Sequence, residues 1–166
     1  TRVAAAMKRR GMRVCAVDTA SYSEVFAKTF IELDGESVAQ TELADAIDAM
    51  NRLPGKAGYF TDVFCQKARF FRPENGQRID AIRTTIEAHY KNSWMYYPLL
   101  ASLLIAADKV DSTTGVQMAY LKSWSRRSAL DLELKMPELL PGSGQSIRGD
   151  ANDVVDELPS VELAYL

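Results

Sequence analysis

The sequence predicts an α/β fold in which part of a parallel sheet is interrupted by a large, mainly helical insert. Three observations carry this. A short, almost continuous apolar run, Val14-Cys15-Ala16-Val17, ends on Asp18 and passes at once into a helical pattern, as a buried parallel strand feeding a helix does. A second strand-like stretch, Gln145–Arg148, leads to Gly149-Asp150-Ala151. Between the two, from about residue 35 to about residue 140, apolar residues recur at helical spacing and the strand–helix rhythm stops. The expected organisation is residues 1–34 as the first part of a sheet domain, 35–140 as the insert, and 141–166 as the return to the sheet.

Composition narrows the class. The chain has 166 residues, enough for one domain with a sizeable core. Its hydrophobic fraction of 47% and charged fraction of 25% are those of an ordinary globule. A net charge of −2 gives no global basic field, while leaving room for a local basic face. The cysteines, Cys15 and Cys65, are too few for a disulfide framework, which points to a reduced, cytoplasmic setting. No stretch is apolar for long enough to cross a bilayer, and no signal-like start is visible. The chain opens at Thr1 already in helical pattern and closes on an apolar stretch, so it reads as a fragment, either an excised domain or a region bounded by deletion.

Taken in order, residues 1–10 predict a helix with Val3, Ala6, Met7 and Arg10 on one face, Lys8 to Arg10 in the last turn, and Gly11 as its C-cap. Residues 12–17 predict a strand buried on both faces. Asp18 ends it. A carboxylate there either caps the next helix or takes the hydroxyls of a ribose. Ser21 and Glu24 form a capping-box pattern, and Tyr22, Val25, Phe26, Thr29 and Phe30 an apolar stripe. Tyr22 is expected in the core, with a cofactor ring as the other use. The Gly-rich loop that would precede such a helix is expected just before Thr1.

Within the insert, residues 37–53 predict a helix with Val38, Leu43, Ala46, Ile47 and Met50 inward. Residues 58–71 are aromatic-rich, with Lys67, Arg69 and Arg72 interspersed, and fit either a short helix or a loop. Pro73-Glu74-Asn75-Gly76 is a turn signal before a helix whose stripe is Ile79, Ile82, Ile86 and Tyr90, with Arg78, Arg83 and Glu87 outside it. His89 is the single histidine, without partners at metal-ligand spacing, so no metal site is expected. A further helix over 94–107 is apolar nearly all round through Leu99, Leu100, Leu103, Leu104 and Ile105. Lys122, Trp124, Arg126 and Arg127 make a basic stretch with an aromatic beside it. Such residues either grip phosphates or form a solvated helix end. Leu130–Leu134 alternates apolar and charged, an exposed edge strand. Beyond Asp150, Asn152 is expected to cap a helix over 153–158, and residues 161–166 to form the next buried strand.

Asp18 and Asp150 therefore fall at the ends of two strands of one expected sheet. Two acids so placed divide a nucleoside between them, one at the ribose hydroxyls and one at an exocyclic amine, both acting ionised as acceptors.

Four stretches together resemble the D12-class, Dam-like DNA adenine-N6 methyltransferases. Residues 1–11 resemble the helix after that family's Gly-rich cofactor loop. Val17-Asp18-Thr19-Ala20 resembles its acidic second motif. Asn75–Arg83 and Gly115–Lys122 resemble signatures within its insert, and Arg148-Gly149-Asp150-Ala151 with Leu163–Leu166 resembles its third motif and the strand before its catalytic motif. The resemblance implies a Rossmann-like methyltransferase sheet, S-adenosylmethionine as cofactor, double-stranded DNA as partner, and methyl transfer to adenine N6, in a restriction–modification or related setting. It implies cofactor contacts from Asp18 and Thr19 on the ribose side and Asp150 and Ala151 on the adenine side. The insert becomes a DNA-recognition lobe, with Arg69, Arg72, Lys122, Arg126 and Arg127 as the expected DNA-binding residues. The family's catalytic Asp-Pro-Pro-Tyr is expected directly after Leu166, so no catalytic residue is expected within 1–166 and the isolated fragment is expected to be inactive, with weak or absent cofactor binding. The rival expectations are an NAD-dependent dehydrogenase on a similar sheet, and a non-catalytic helical interaction module.

Overall fold

A computed structural model describes residues 2–113, 123–158 and 160–165. The chain divides into two compact units, Thr1–Ser37 with Leu139–Leu166, and Val38–Glu138.

The first unit opens with α1 (Arg2–Arg9). It ends in paired bonds from Gly11 N to Lys8 O (2.8 Å) and Met12 N to Met7 O (3.2 Å), with Gly11 at φ +79. This left-handed closure requires a glycine. The buried face is not the expected stripe. Val3 and Ala6 are exposed, and Lys8 is the buried residue at 3% exposure. Its Nζ donates to Leu33 O at 2.7 Å. Burial pulls the Lys8 pKa below its ordinary value, and the nearby Asp34 carboxylate opposes that. A long side chain has thus carried its charge across the apolar layer to a helix-end carbonyl.

β1 (Cys15–Asp18) is shorter than expected and only half-buried. Among the described residues it has one neighbour, β2 (Gln145–Arg148), so no full sheet covers it. The pair is parallel, with Cys15 opposite Gln145 and Asp18 opposite Arg148. α2 (Ser21–Ala27) follows β1. Its N-cap is Ala20 with no side-chain bond, so the Ser21–Glu24 capping box does not form. Ser21 lies one position inside the helix, where its hydroxyl is out of place for the first amides. Thr29 Oγ1 bonds back to Val25 O (2.8 Å), and the helix widens into a π-type turn over Lys28–Glu32, closed by Leu33 N to Lys28 O (3.1 Å). Glu32 then accepts Ser146 N at 3.0 Å, fixing the start of β2.

After β2, α6 (Ala151–Val154) and a single 3-10 turn (Val155–Glu157) replace the expected longer helix. Its cap is Asp150, not Asn152. Residues 160–165 form no strand, and Val161, Leu163 and Tyr165 are exposed. Their alternation supplies two faces, but a strand exists only through hydrogen bonds to a neighbour, and neither β1 nor β2 pairs with them. Thr1 and Leu166 lie outside the described residues.

Among its described residues, the second unit packs α3 (Gln40–Asn51), α4 (Pro73–Tyr90) and α5 (Tyr96–Val110) together. Leu43, Ala46, Ile47 and Met50 of α3, Ile79, Ile82 and Ile86 of α4, and Leu99, Leu100, Leu103, Ala106 and Val110 of α5 are buried. Leu104 is exposed, so α5 has one solvent face. Pro73–Gly76 form the first turn of α4 and not a separate turn before it, because a ring-fixed φ and a missing N–H suit proline at the first helical position. Gly76 is inside the helix and buried. A Cβ there would collide with Cys65 Sγ. Gly76→Ala is expected to destabilise by about 2 kcal/mol through overpacking, read as a lower urea midpoint. Cys65 is buried and its thiol is pushed up to about 11, chiefly by that burial, so it is unreactive at neutral pH.

Residues 58–71 settle as π-type helical turns over Thr61–Lys67. Asp80 of α4 organises them. Its carboxylate accepts Gly58 N (2.9 Å), Phe60 N (3.0 Å), Thr61 N (2.8 Å) and Thr61 Oγ1 (2.6 Å). Burial alone would raise its pKa, but these donors outweigh it and hold the carboxyl below its usual range.

Leu130–Leu134 is extended, with Leu132 and Leu134 buried, yet it is not an edge strand. Two asparagine side chains take the place of a neighbouring strand. Asn51 accepts Leu134 N and donates to Leu134 O, each at 2.9 Å. Asn75 accepts Leu132 N and donates to Leu130 O, also at 2.9 Å. Arg78, expected on the outer face, instead donates to Asn51 O at 3.0 Å.

Candidate functional site

The parallel register decides where the two sequence-predicted acids lie. Asp18 is the last residue of β1 and stands opposite Arg148, the last of β2. Gly149 N donates to Asp18 O at 3.1 Å, which continues the ladder one step past the strands. Asp150 is the next residue. Both acids thus leave the carboxyl ends of adjacent parallel strands, where open α/β sheets place their ligands.

Each carboxylate also does a local job. Asp18 Oδ1 accepts Ala20 N at 2.9 Å and so shapes the turn into α2. That amide bond, then the Ser23 hydroxyl, holds the Asp18 carboxyl below its usual range. Asp150 Oδ1 accepts Asn152 N (2.9 Å) and Asn152 Nδ2 (3.0 Å), capping α6. Both acids and their neighbours Thr19 and Ala151 are exposed. Asp18 is thus not the N-cap of α2, which is Ala20; it shapes the turn before the helix and stays a solvent-facing acceptor at the sheet edge.

Two further residues join this edge. Arg148 Nε donates to Thr19 O at 3.3 Å, and its guanidinium lies 3.6 Å from Glu24. It ties the β2 end to the turn after β1. Read as a strand end, it carried no signal in the sequence beyond its place before Gly149-Asp150. Tyr22, expected in the core, is 61% exposed on the first turn of α2, three positions after Thr19.

The predicted DNA-binding residues all fall within the second unit, and the structure brings Arg69 and Arg72 against the segment that holds Arg126 and Arg127. Arg69 and Arg72 share one aromatic ring, their guanidinium carbons 5.2 and 5.5 Å from the Trp124 centroid. Arg127 is ion-paired with Asp111 and donates Nε to Asp111 O at 3.2 Å. Arg126 is exposed and makes no ion pair among the described residues. Lys122, like the rest of 114–122, lies outside the described residues. His89 is exposed, and no cluster of metal-ligating side chains occurs among the described residues. No helix is long and apolar enough to cross a membrane among the described residues.

Comparison with known proteins supplies the family. The model of the D12 class N6 adenine-specific DNA methyltransferases matches residues 1–166. The type II methyltransferase M.NlaIII of Neisseria lactamica is 30% identical over 164 residues, covering 93% of this chain and 48% of that protein. The modification methylase StsI of Streptococcus sanguinis is 34% identical over 107 residues, 60% of this chain and 16% of that protein. The modification methylase LlaI of Lactococcus lactis subsp. lactis is 29% identical over 106 residues, 58% of this chain and 17% of that protein. The chain thus spans about half the length of M.NlaIII and a smaller share of the other two. No solved structure matches it. With the match running through both units, this chain belongs to the D12 class of N6 adenine-specific DNA methyltransferases.

Proposed function

We propose that this chain carries part of the cofactor site and the DNA-recognition lobe of a restriction–modification enzyme, one that moves a methyl group from S-adenosylmethionine to adenine N6 in duplex DNA. β1 and β2 belong, on this reading, to a Rossmann-like methyltransferase sheet. The observation that carries it is the parallel register that delivers Asp18 and Asp150 to one sheet edge. Two ionised acceptors there fit a nucleoside: Asp18 takes the ribose hydroxyls and Asp150 the adenine amine, with Thr19 and Ala151 beside them. The depressed pKa of Asp18 keeps it charged through the mildly acidic range. When bound, S-adenosylmethionine supplies an activated methyl group on a sulfonium. The residues described here bind and orient it.

The unit Val38–Glu138 is the proposed DNA-recognition lobe. Its arginines contact phosphates and set register without reading bases. The relatives are named as modification methylases, and a cytoplasmic enzyme acting on the cell's own DNA follows from the same reading. Family membership leaves the dehydrogenase and the non-catalytic module without support.

The product tests this. Duplex DNA treated with the full-length protein and S-adenosylmethionine is expected to yield N6-methyladenine on digestion to nucleosides. Methylated cytosine in its place contradicts it. Within the lobe, Arg126→Ala is expected to weaken duplex binding and to reduce the slope of log affinity against log salt by about one. Arg127→Ala is expected to lower thermal stability as well, because it leaves the buried Asp111 carboxylate without its ion-pair partner.

A further inference from the structure

Arg69 has a backbone conformation that a non-glycine residue rarely keeps. Its φ is +55, the single positive value outside glycine among the described residues. Such strain persists where the surroundings enforce it, and it concentrates at ligand clamps. The enforcement is visible. Phe70 N and Phe71 N both donate to Phe64 O (2.8 and 3.3 Å), and Phe70 O accepts Ser112 N at 2.7 Å. The backbone is therefore pinned just beyond Arg69.

The pinned bend sets Arg69 over the Trp124 ring at 5.2 Å, and Arg72 lies against the same ring at 5.5 Å. Arg72 is further held by its Nε bond to Ser128 Oγ at 3.4 Å. Two like charges at one indole repel each other, and neither has a carboxylate partner among the described residues, whereas Arg83 and Arg127 each have one. A guanidinium stacked on a ring keeps its in-plane N–H groups for a ligand, and those groups match phosphate oxygens. The indole holds the charges before the ligand arrives.

We infer that Arg69 and Arg72 form a clamp for a backbone phosphate of duplex DNA, with Trp124 as its positioning residue. The inference rests on the proposed DNA methyltransferase function. Trp124 acts through the two arginines and touches no phosphate itself.

The test is fluorescence anisotropy with a labelled duplex over a salt series, using the full chain. Arg69→Gln and Arg72→Gln are each expected to reduce the salt slope by about one. Trp124→Leu is expected to weaken binding about fivefold, and to add nothing when both arginines are already glutamine. Trp124→Phe keeps a π face and stays within about twofold of wild type. Arg69→Gly is expected to melt higher than wild type, because glycine accepts the backbone angle, and still to lose the slope unit. A purely structural Arg69 would give the opposite melting result. Should the leucine variant fail to fold, the phenylalanine and glutamine variants carry the test. Wild-type slopes and affinities in the Arg69→Gln/Arg72→Gln protein overturn the clamp and leave the methyltransferase reading standing. A wild-type protein that binds no duplex overturns both.

Discussion

Replacing Asp18 with alanine is expected to weaken S-adenosylmethionine binding about 100-fold while barely moving the melting temperature. The affinity figure follows from the chemistry. A carboxylate that accepts from two ribose hydroxyls contributes about 3 kcal/mol through charge-assisted bonds, and that is about two decades in affinity. The small effect on stability follows from position, since Asp18 is exposed and its local bonds run to Ala20 N and Ser23. Asp18→Asn keeps an acceptor and should lose less. The pH dependence has a definite sign. Ala20's amide and then Ser23's hydroxyl depress the Asp18 pKa, so whatever stability they contribute is present above the unfolded value of about 4. It is lost as pH falls through the lower folded value, and cofactor affinity should stay level from neutral pH down to about pH 5. Isothermal titration of the full-length protein with S-adenosylmethionine measures both. A large loss of melting temperature with unchanged affinity would leave Asp18 with its role in the turn before α2 alone.

Asn75→Ala is expected to destabilise the Val38–Glu138 unit by about 3 kcal/mol, the largest effect on stability anticipated here. Asn75 is 4% exposed, and its amide satisfies Leu132 N and Leu130 O. Truncation strands a backbone donor and a backbone acceptor, at about 1–3 kcal/mol each. Asn75→Asp separates shape from hydrogen bonding. It preserves volume but sets an acceptor against the Leu130 carbonyl, where Nδ2 now donates at 2.9 Å. Burial and that carbonyl should raise the new carboxyl's pKa above the ordinary value of about 4. The variant is then more stable at low pH, where the protonated acid can donate, and loses stability as pH rises through the raised value. Urea unfolding at two pH values, with a constant slope, reads this directly. A variant as stable at pH 7 as at pH 4 would mean that the carbonyl turns away.

These two sites mark where sequence reading succeeds and where it stops. The α3 and α4 stripes were legible because a helix buried on one face repeats its apolar residues at a fixed period. Leu130–Leu134 was legible as extended for the same kind of reason. Alternation reports which side is buried but not what receives the hydrogen bonds, and here the partners are Asn51 and Asn75, 83 and 57 residues away. Lys8 was misread because a lysine in a last helical turn ordinarily sits in solvent. Its burial depends on Leu33, just past the end of another helix. Val161 to Tyr165 shows the converse, a strand pattern with no strand to pair with. At the candidate site the acids were legible as strand ends. Arg148 was not, because its role depends on crossing to Thr19 and Glu24.

The most direct measurement follows backbone amide signals by 15N–1H NMR as S-adenosylhomocysteine is added to the labelled full-length protein. The amides of Asp18, Thr19 and Ala20 and those of Gly149, Asp150 and Ala151 are expected to shift together and to saturate along one binding curve. Shifts in one of these loops without the other, or along two separate curves, would contradict a nucleoside shared between Asp18 and Asp150.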